Sequence, residues 1–235
     1  MRRRLPAHDR RPRHRRPSRR HGARARDRGA LCDQIDATTP GVAFVKIDGD
    51  PSPVRVRITN ITDQDIDNQK VPAELMAAIR ARRAGGKLLN LDRMLLNSPP
   101  IARGWNTFMG LIRRELKVSP ILRELAICAI ARLNRADYEL LQHAPEFLAA
   151  GGTQLQLDAL DAIDTAHLNT SVFSQAEITT LKLAREMSLN IEVSAATLDE
   201  LRALLPNEQV VEIVCTIAAY NMVSRFLVAL DIGPE

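Results

Sequence analysis

The strongest constraint on the fold is a series of helix start and stop signals that runs from residue 71 onward. Proline in a first turn and serine or threonine caps are typical of helix starts, whereas paired glycines are typical of helix ends. Asn134 is interpreted as the cap of one of these helices. The predicted helices cover 73–83, 91–96, 101–116, 120–133, 135–150, the segments starting near 154 and 175, 195–205 and 208–230. The sequence therefore predicts an all-α body.

The composition of the chain favours the same fold class. Aromatic residues make up only 3% of the chain, whereas hydrophobic residues as a whole make up 45%. A β-sandwich and an aromatic base-stacking platform both need more aromatic side chains than this. We therefore expect a core of packed helices rich in Leu, Ile, Val and Ala.

The N-terminal segment has a composition of its own. Residues 1–28 hold 13 arginines and two acidic residues, a net charge of +11, whereas the rest of the chain holds 20 basic and 26 acidic residues, a net charge of −6. Such a segment cannot form a core. We interpret residues 1–40 as a basic, low-complexity, disordered tail. A nucleic-acid arm or a targeting peptide is the alternative, and nucleic acid is not expected as a partner.

Two short β-type runs, 42–47 and 54–58, follow this tail and are separated by a stretch rich in glycine and proline. They predict a hairpin or an extended arm over 41–61, because two short strands alone are marginal. The helical domain is then expected to occupy 62–235.

The location of the protein is inferred from its cysteines and its most apolar segment. Cys32, Cys128 and Cys215 are far apart and form neither a CxxC nor a metal-type spacing, which fits a reducing compartment and predicts no metal site. Residues 210–230 are apolar but interrupted by polar and charged side chains. They predict a central or interface helix rather than a membrane span, and a cytoplasmic protein.

Three residues on two consecutive predicted helices suggest acid–base chemistry. Glu139 and His143 lie four positions apart and share one helix face. Glu124 is the only acid in an apolar helix, so a buried Glu124 needs a partner, for which His143 or Tyr138 is available. A carboxylate beside an imidazole suits proton transfer. Taken alone, this spacing is more often that of a solvated surface pair.

Several stretches of the chain together resemble the carboxymuconolactone decarboxylase family over about residues 62–233. These are RELAI at 123–127, ADYELLQH at 136–143, the AAGG turn with LQLDAL, KLLNLDRMLLNSPPIARGWN at 87–106 and YNMVSRFLVAL at 220–230. The resemblance is to a branch of the family without its cysteine pair. It implies an alkyl hydroperoxidase D-like helical bundle, a small-molecule substrate and a homo-oligomer, either a trimer or a hexamer.

The resemblance also assigns expected site residues. Alkyl hydroperoxidase D-like members carry a Glu upstream of a CxxC pair and a His four residues after the second Cys. The Glu corresponds to Glu124 and the His to His143, whereas the two cysteines correspond to Ala136 and Glu139. Peroxidase chemistry needs an activated thiolate. It is therefore not expected here, and Cys128 and Cys215 are interpreted as inert apolar residues.

The functional prediction is an enzyme that performs acid–base chemistry on a small organic acid or lactone without a cofactor: decarboxylation, isomerisation or hydrolysis. His143 is expected to carry the proton, Glu124 to orient the imidazole, and Tyr138 or Glu139 to contact the substrate. Further candidates for substrate binding are Arg132, Arg135 and Trp105. The alternative is a non-catalytic ligand-binding or scaffold oligomer. An antioxidant protein is less favoured because the CxxC is absent.

Overall fold

The computed structural model describes residues 42–43, 57–68 and 70–235. The predictions for residues 1–40, and most of the prediction for 41–61, lie outside the described residues. Two short strands, Val42–Ala43 (β1) and Arg57–Ile58 (β2), pair antiparallel with Val42 opposite Ile58.

The described chain after β2 is helical. The α-helices are α1 (Asp63–Asp67), α2 (Ala73–Arg82), α3 (Asn90–Leu95), α4 (Pro99–Arg114), α5 (Pro120–Leu133), α6 (Asp137–Ala149), α7 (Gln154–Ala159), α8 (Gln175–Leu189), α9 (Ala195–Leu204) and α10 (Asn207–Ala229). Short 3-10 turns cover Ala84–Gly86, Leu160–Ala162 and Ala166–Leu168. The prediction of an all-α body is confirmed. The short α1, which starts at a Thr62 capping box, was not predicted.

One predicted cap is wrong. Asn134 does not start α6 but ends α5, and the chain turns there through Arg135, whose φ is 55°. The amide of Ala136 then donates to the carbonyl of Ala131 at 2.8 Å, and that of Arg135 to Arg132 at 3.3 Å. These two bonds form a Schellman motif, in which a left-handed residue satisfies the last carbonyls of a helix. Arg135 occupies the position where glycine is usual.

Helix α5 is the centre of the fold. It packs against α6, α8 and α10, and its side chains from Leu125 to Ile130 are completely buried. Glu124, which directly precedes this stretch, is the one charged residue of α5 that is buried, being only 4% exposed. A buried carboxylate needs hydrogen-bond partners, and the packing of α6 against α5 supplies one.

Helix α10 is long and apolar enough to cross a membrane by length and composition alone. In the fold it packs against α5, α8, α4 and α6, and half of its most apolar window is buried there. Its middle turns place Tyr220 and Ser224 fully inside the protein. The helix is therefore a core element of the bundle, with one apolar side facing outward.

Candidate active site

The packing of α5 against α6 brings a carboxylate and an imidazole together. Oε2 of Glu124 lies 2.7 Å from Nδ1 of His143, and both side chains are buried. Nε of Arg123 donates to the other oxygen, Oε1, at 3.1 Å. Glu124 thus has a partner on each oxygen, and of the two predicted candidates on α6 it is His143, not Tyr138, that pairs with it.

The second imidazole nitrogen is held by α4. Nη2 of Arg113 lies 3.1 Å from Nε2 of His143. A guanidinium can only donate hydrogen bonds, so Nε2 must accept and carries no proton. The imidazole is therefore neutral, with its proton on Nδ1, where it donates to Glu124.

The electrostatics of the pair agree with this assignment. Burial lowers the pKa of His143, and the hydrogen bond to Glu124, which acts in the opposite direction, does not restore it; nearby Arg113 lowers it further. Burial alone would raise the pKa of Glu124, but the hydrogen bond from His143 and the charge of Arg123 outweigh burial and lower it. The resting pair is thus an ionised carboxylate beside a neutral imidazole.

Arg113 also connects the pair to α10. Its Nε donates to Oη of Tyr220 at 2.9 Å, and the Tyr220 ring packs edge-on against the imidazole, with centroids 5.0 Å apart. Burial raises the pKa of Tyr220 to about 12, so its hydroxyl stays protonated. Sequence reasoning missed Arg113, because an Arg-Arg pair in the last turn of a helix is the usual complement to the helix dipole.

Glu139 lies deeper on the same wall. It is 2% exposed, and burial raises its pKa to about 8 against the opposing effects of Ser224 and Arg113. Oγ of Ser224 lies 3.1 and 3.0 Å from the two carboxyl oxygens and 2.9 Å from the carbonyl of Tyr220. A serine has one hydroxyl proton, so a protonated Glu139 satisfies this arrangement: Ser224 donates to Tyr220 and accepts from Glu139. Glu139 pairs with Ser224, not with His143 as its spacing allowed.

These groups line a cavity of about 530 Å³, which suits a small ligand. The walls come from the end of α2, the loop to α3, and α4, α5, α6 and α10. Its polar lining side chains are Arg82, Arg83, Lys87, Arg113, Arg114, Arg123, Glu124, Tyr138, Glu139, Gln142, His143 and Glu146. Six basic residues face three acidic ones, so the cavity has a positive formal charge.

The basic residues of the cavity differ in how they are held. Arg83 binds the buried Asp92 with two hydrogen bonds of 2.8 and 2.7 Å, and Arg82 binds the same carboxylate at 3.4 Å and Asn106 at 2.7 Å. By contrast, the side chains of Arg114 and Lys87, which also line the cavity, make no hydrogen bond or ion pair with any residue that the structure describes. Within the described residues, the cavity therefore combines cations that are held by partners with two that have none.

Tyr138 lies on the cavity wall, but its hydroxyl is occupied. It donates to Oε1 of Glu235 at 2.9 Å, the backbone amide of Asn90 donates to the same oxygen at 2.7 Å, and Gln142 donates to Oε2 at 3.1 Å. Burial, together with the Glu235 carboxylate, raises the pKa of Tyr138. Its phenol is thus a proton donor that is already bound to a carboxylate.

Three predicted substrate-binding residues do not line this cavity. Arg132 forms an ion pair with Asp161, Arg135 is exposed at the turn between α5 and α6, and Trp105 is buried against the ring of Phe226 at 5.2 Å. The structure thus does not bring these three residues to the wall that carries His143, and a role for them in substrate binding stays a prediction. For the two arginines, nearness to α6 in sequence does not fix which side of a helix end the side chain occupies.

The structure gives no support to thiol chemistry at this site. Cys128 is fully buried, and burial together with the charges of Glu124 and Glu139 raises its pKa to about 12. Such a thiol is not a nucleophile near neutral pH. Among residues 42–43, 57–68 and 70–235, no group of three or more His, Cys, Asp or Glu side chains could hold a metal ion.

Comparison with known proteins identifies the region that carries the site. The model of the carboxymuconolactone decarboxylase family matches residues 99–186, from the start of α4 to near the end of α8. This stretch contains Arg113, Glu124, Glu139 and His143. No curated protein matches the chain in sequence.

Several solved structures share the fold at low sequence identity. An uncharacterized peroxidase-related protein from Ralstonia eutropha JMP134, an alkylhydroperoxidase AhpD core, is 16% identical, with a TM-score of 0.60 over 71% of this chain and 88% of its own. The debrominase Bmp8, in complex with 2,3,4-tribromopyrrole, is 16% identical, with a TM-score of 0.60 over 75% of this chain and 90% of its own.

A further peroxidase-related protein, from Silicibacter sp. TM1040, is 15% identical, with a TM-score of 0.59 over 86% of this chain and 95% of its own. At such identities the similarity shows the fold and not the activity. The family resemblance seen in the sequence is confirmed over residues 99–186, which match the model of the carboxymuconolactone decarboxylase family, and the fold is that of an alkyl hydroperoxidase D-like helical bundle.

Proposed function

We propose that this protein catalyses proton transfer on a small organic acid or lactone, in a decarboxylation, isomerisation or hydrolysis, with its own side chains as acid and base. The observation that carries the proposal is the buried Glu124–His143 pair, 2.7 Å apart, on the wall of a cationic cavity. The positive charge of the cavity favours an anionic substrate.

The three buried ionisable groups have complementary roles in this proposal. Nε2 of His143 is the base, and the Glu124 carboxylate stabilises the imidazolium that forms when the base takes a proton. Glu139, neutral at the same pH, is the acid that donates to the developing negative charge on the substrate oxygen. Two groups whose environments push their pKa values apart are the usual arrangement for acid–base pairs.

In an isomerisation the proton balance closes without any other reactant. Nε2 of His143 takes a proton from the carbon between a carbonyl and a C=C bond, and the C–H electron pair spreads over both as a dienolate. The carboxyl proton of Glu139, which Ser224 accepts in the resting state, turns to the dienolate oxygen and stabilises it. The imidazolium of His143 then returns its proton to the far carbon of the former C=C bond, the double bond moves next to the carbonyl, and the neutral base is regenerated.

Peroxidase activity is less favoured, because Ala136 and Glu139 stand where the related proteins have their cysteines. The proposal therefore does not take its chemistry from the peroxidase-related neighbours. A debrominase of the same fold is known, but at 16% identity this shows only that the fold accommodates different reactions.

A non-catalytic ligand-binding protein is the second candidate, and one observation favours it. Arg113 donates to Nε2 of His143, so in the described state the lone pair needed for catalysis is already engaged. A protein that only binds an organic anion would keep this bond and would use the cationic walls alone.

Proton exchange in D₂O separates the two candidates. A panel of lactones and unsaturated carboxylic acids is incubated with the protein, and deuterium incorporation and product formation are followed by NMR. We expect His143→Gln to lower the rate by about 100-fold or more. His167→Gln, which changes a histidine outside the cavity, is the matched control. Ligands that bind by calorimetry without exchange or product in the unaltered protein would favour the binding candidate.

We further propose that the chain forms a cytoplasmic homo-oligomer. Exposed apolar side chains support this proposal: Ile101, Phe108 and Leu111 on α4, and Val211 and Met222 on α10. Such faces are typical of subunit interfaces. Light scattering after size exclusion measures the assembly, and a monomer that is retained at high concentration would contradict it.

A further inference from the structure

We infer that Arg113 is a carboxylate-responsive switch on the base: it blocks Nε2 of His143 while the cavity is empty, and a bound substrate carboxylate draws the guanidinium away and frees that nitrogen. The inference rests on the proposed function, since it specifies when His143 becomes a base. It assigns a substrate-binding and positioning role to a residue outside the predicted acid–base set.

The contacts of Arg113 provide a pivot. Its Nε is anchored by Oη of Tyr220 at 2.9 Å, whereas Nη2 meets His143 at 3.1 Å. The guanidinium can therefore turn at its outer end while the bond to Tyr220 holds its stem. Of its five N–H groups, only these two have a partner among the residues that the structure describes. The others belong to a side chain that lines the cavity.

A carboxylate is a better partner for this guanidinium than an imidazole. A bond to a carboxylate joins two full opposite charges, whereas the imidazole acceptor is neutral, and a carboxylate can accept two N–H groups in parallel. We expect a carboxylate that accepts from Nη1 and Nη2 together to turn the guanidinium toward itself and so to draw Nη2 away from Nε2 of His143. A neutral ester or amide of the same shape lacks this advantage and leaves the blocked state in place.

The remaining arginines of the cavity do not fit this role. Arg82 and Arg83 are held by Asp92, and Arg123 is held by Glu124. Arg114 lines the same cavity from the same helix but makes no hydrogen bond to His143 among the described contacts. It therefore provides a matched control: an adjacent arginine with the same charge and without the contact to the base.

The test uses acetate as the carboxylate probe and acetamide as its neutral counterpart. Protein with ¹⁵N-labelled histidine is titrated at constant ionic strength, and the ring nitrogens of His143 are followed by NMR. In the unaltered protein we expect a proton on Nδ1, and a change in the Nε2 resonance with acetate but not with acetamide. Arg113→Gln should show the unblocked Nε2 signal before any ligand is added.

Two further variants keep the result interpretable. Arg114→Gln should keep the acetate response of His143, although acetate binds less tightly. Arg113→Lys keeps the charge without the planar fork, so it should recover part of the affinity but not the blocked Nε2 signal. We expect Arg113→Gln to bind acetate at least about 10-fold more weakly than the unaltered protein. Circular dichroism checks that each variant is folded, and Arg113→Lys serves if Arg113→Gln is not.

The outcomes distinguish this inference from the proposed function. An acetate-dependent Nε2 change that requires Arg113, in a protein that turns over none of the panel, supports the switch and counts against the enzyme. Turnover that requires His143 but is unaltered in kcat and KM by Arg113→Gln overturns the switch and keeps the enzyme. A His143 signal that ignores acetate at concentrations saturating for a millimolar site also overturns the switch.

Discussion

The buried carboxyl group of Glu139 should make the stability of this protein depend on pH in a measurable way. Burial raises its pKa from 4.5 to about 8, so the native state holds a proton that the unfolded chain releases above its ordinary pKa. Unfolding then releases a proton between those two values, and the contribution of Glu139 to stability falls as the pH rises. This contribution is fully present below pH 4.5 and is lost as the pH passes about 8.

Linkage gives the size of the effect. A shift of this size corresponds to about 5 kcal/mol at high pH, of which about 3 kcal/mol develops between roughly pH 5 and pH 8. Glu139→Gln cannot lose a proton. The free energy of unfolding of the variant, relative to the unaltered protein, should therefore rise by about 3 kcal/mol over that interval.

Urea unfolding followed by circular dichroism at several pH values measures this difference, in which titrating groups that do not interact with Glu139 cancel. Glu146→Gln, which replaces an exposed carboxyl group on the same helix, is the control for the loss of one acidic side chain. If the difference in free energy of unfolding between Glu139→Gln and the unaltered protein does not change with pH, Glu139 is ionised in the native protein. The hydrogen-bond assignment at Ser224 and the proposed role of Glu139 as an acid would then both be wrong.

Three other changes have expected outcomes. Glu124→Gln leaves the imidazolium of His143 without its counter-charge, and the rate of the identified reaction should fall by about 100-fold or more; an unchanged kcat would remove Glu124 from the mechanism. Gly152→Ala places a Cβ in a clash with the ring of Phe147, so the free energy of unfolding should fall by about 1–3 kcal/mol in urea melts. An equally stable variant would mean that the ring can move aside. Cys128 should remain unoxidised by peroxide in the folded protein, as peptide mass spectrometry can check; a sulfenic acid there would reopen the antioxidant interpretation.

The sequence was sufficient for the parts of the fold that depend on local signals. The capping boxes at Thr153 and Ser174 start α7 and α8 as predicted, because they need only residues three apart. The Asn134 cap failed because the same asparagine suits a helix end as well as a start. Asn134 ends α5 because Arg135, the next residue, has a left-handed backbone conformation, which arginine rarely adopts.

Only the part of the candidate site that is formed by the consecutive helices α5 and α6 could be predicted from the sequence. An isolated Glu124 in an apolar helix requires a partner, and the adjacent α6 offers few. Arg113, Tyr220 and Ser224 come from α4 and α10, whose rotation relative to α6 is a property of the packed bundle. No spacing along the chain encodes that rotation, so these contacts could not be inferred from the sequence.

The Glu235 carboxylate has a consequence for how the cavity selects what enters it. By accepting from Tyr138 and Gln142, it occupies two uncharged donors of the cavity wall with a group from the chain itself. These two donors are therefore already hydrogen-bonded when a ligand binds, and the ligand interacts chiefly with the guanidinium and ammonium groups of the cavity. The cavity should thus select a ligand by its charge more than by the positions of its hydroxyl and amide groups.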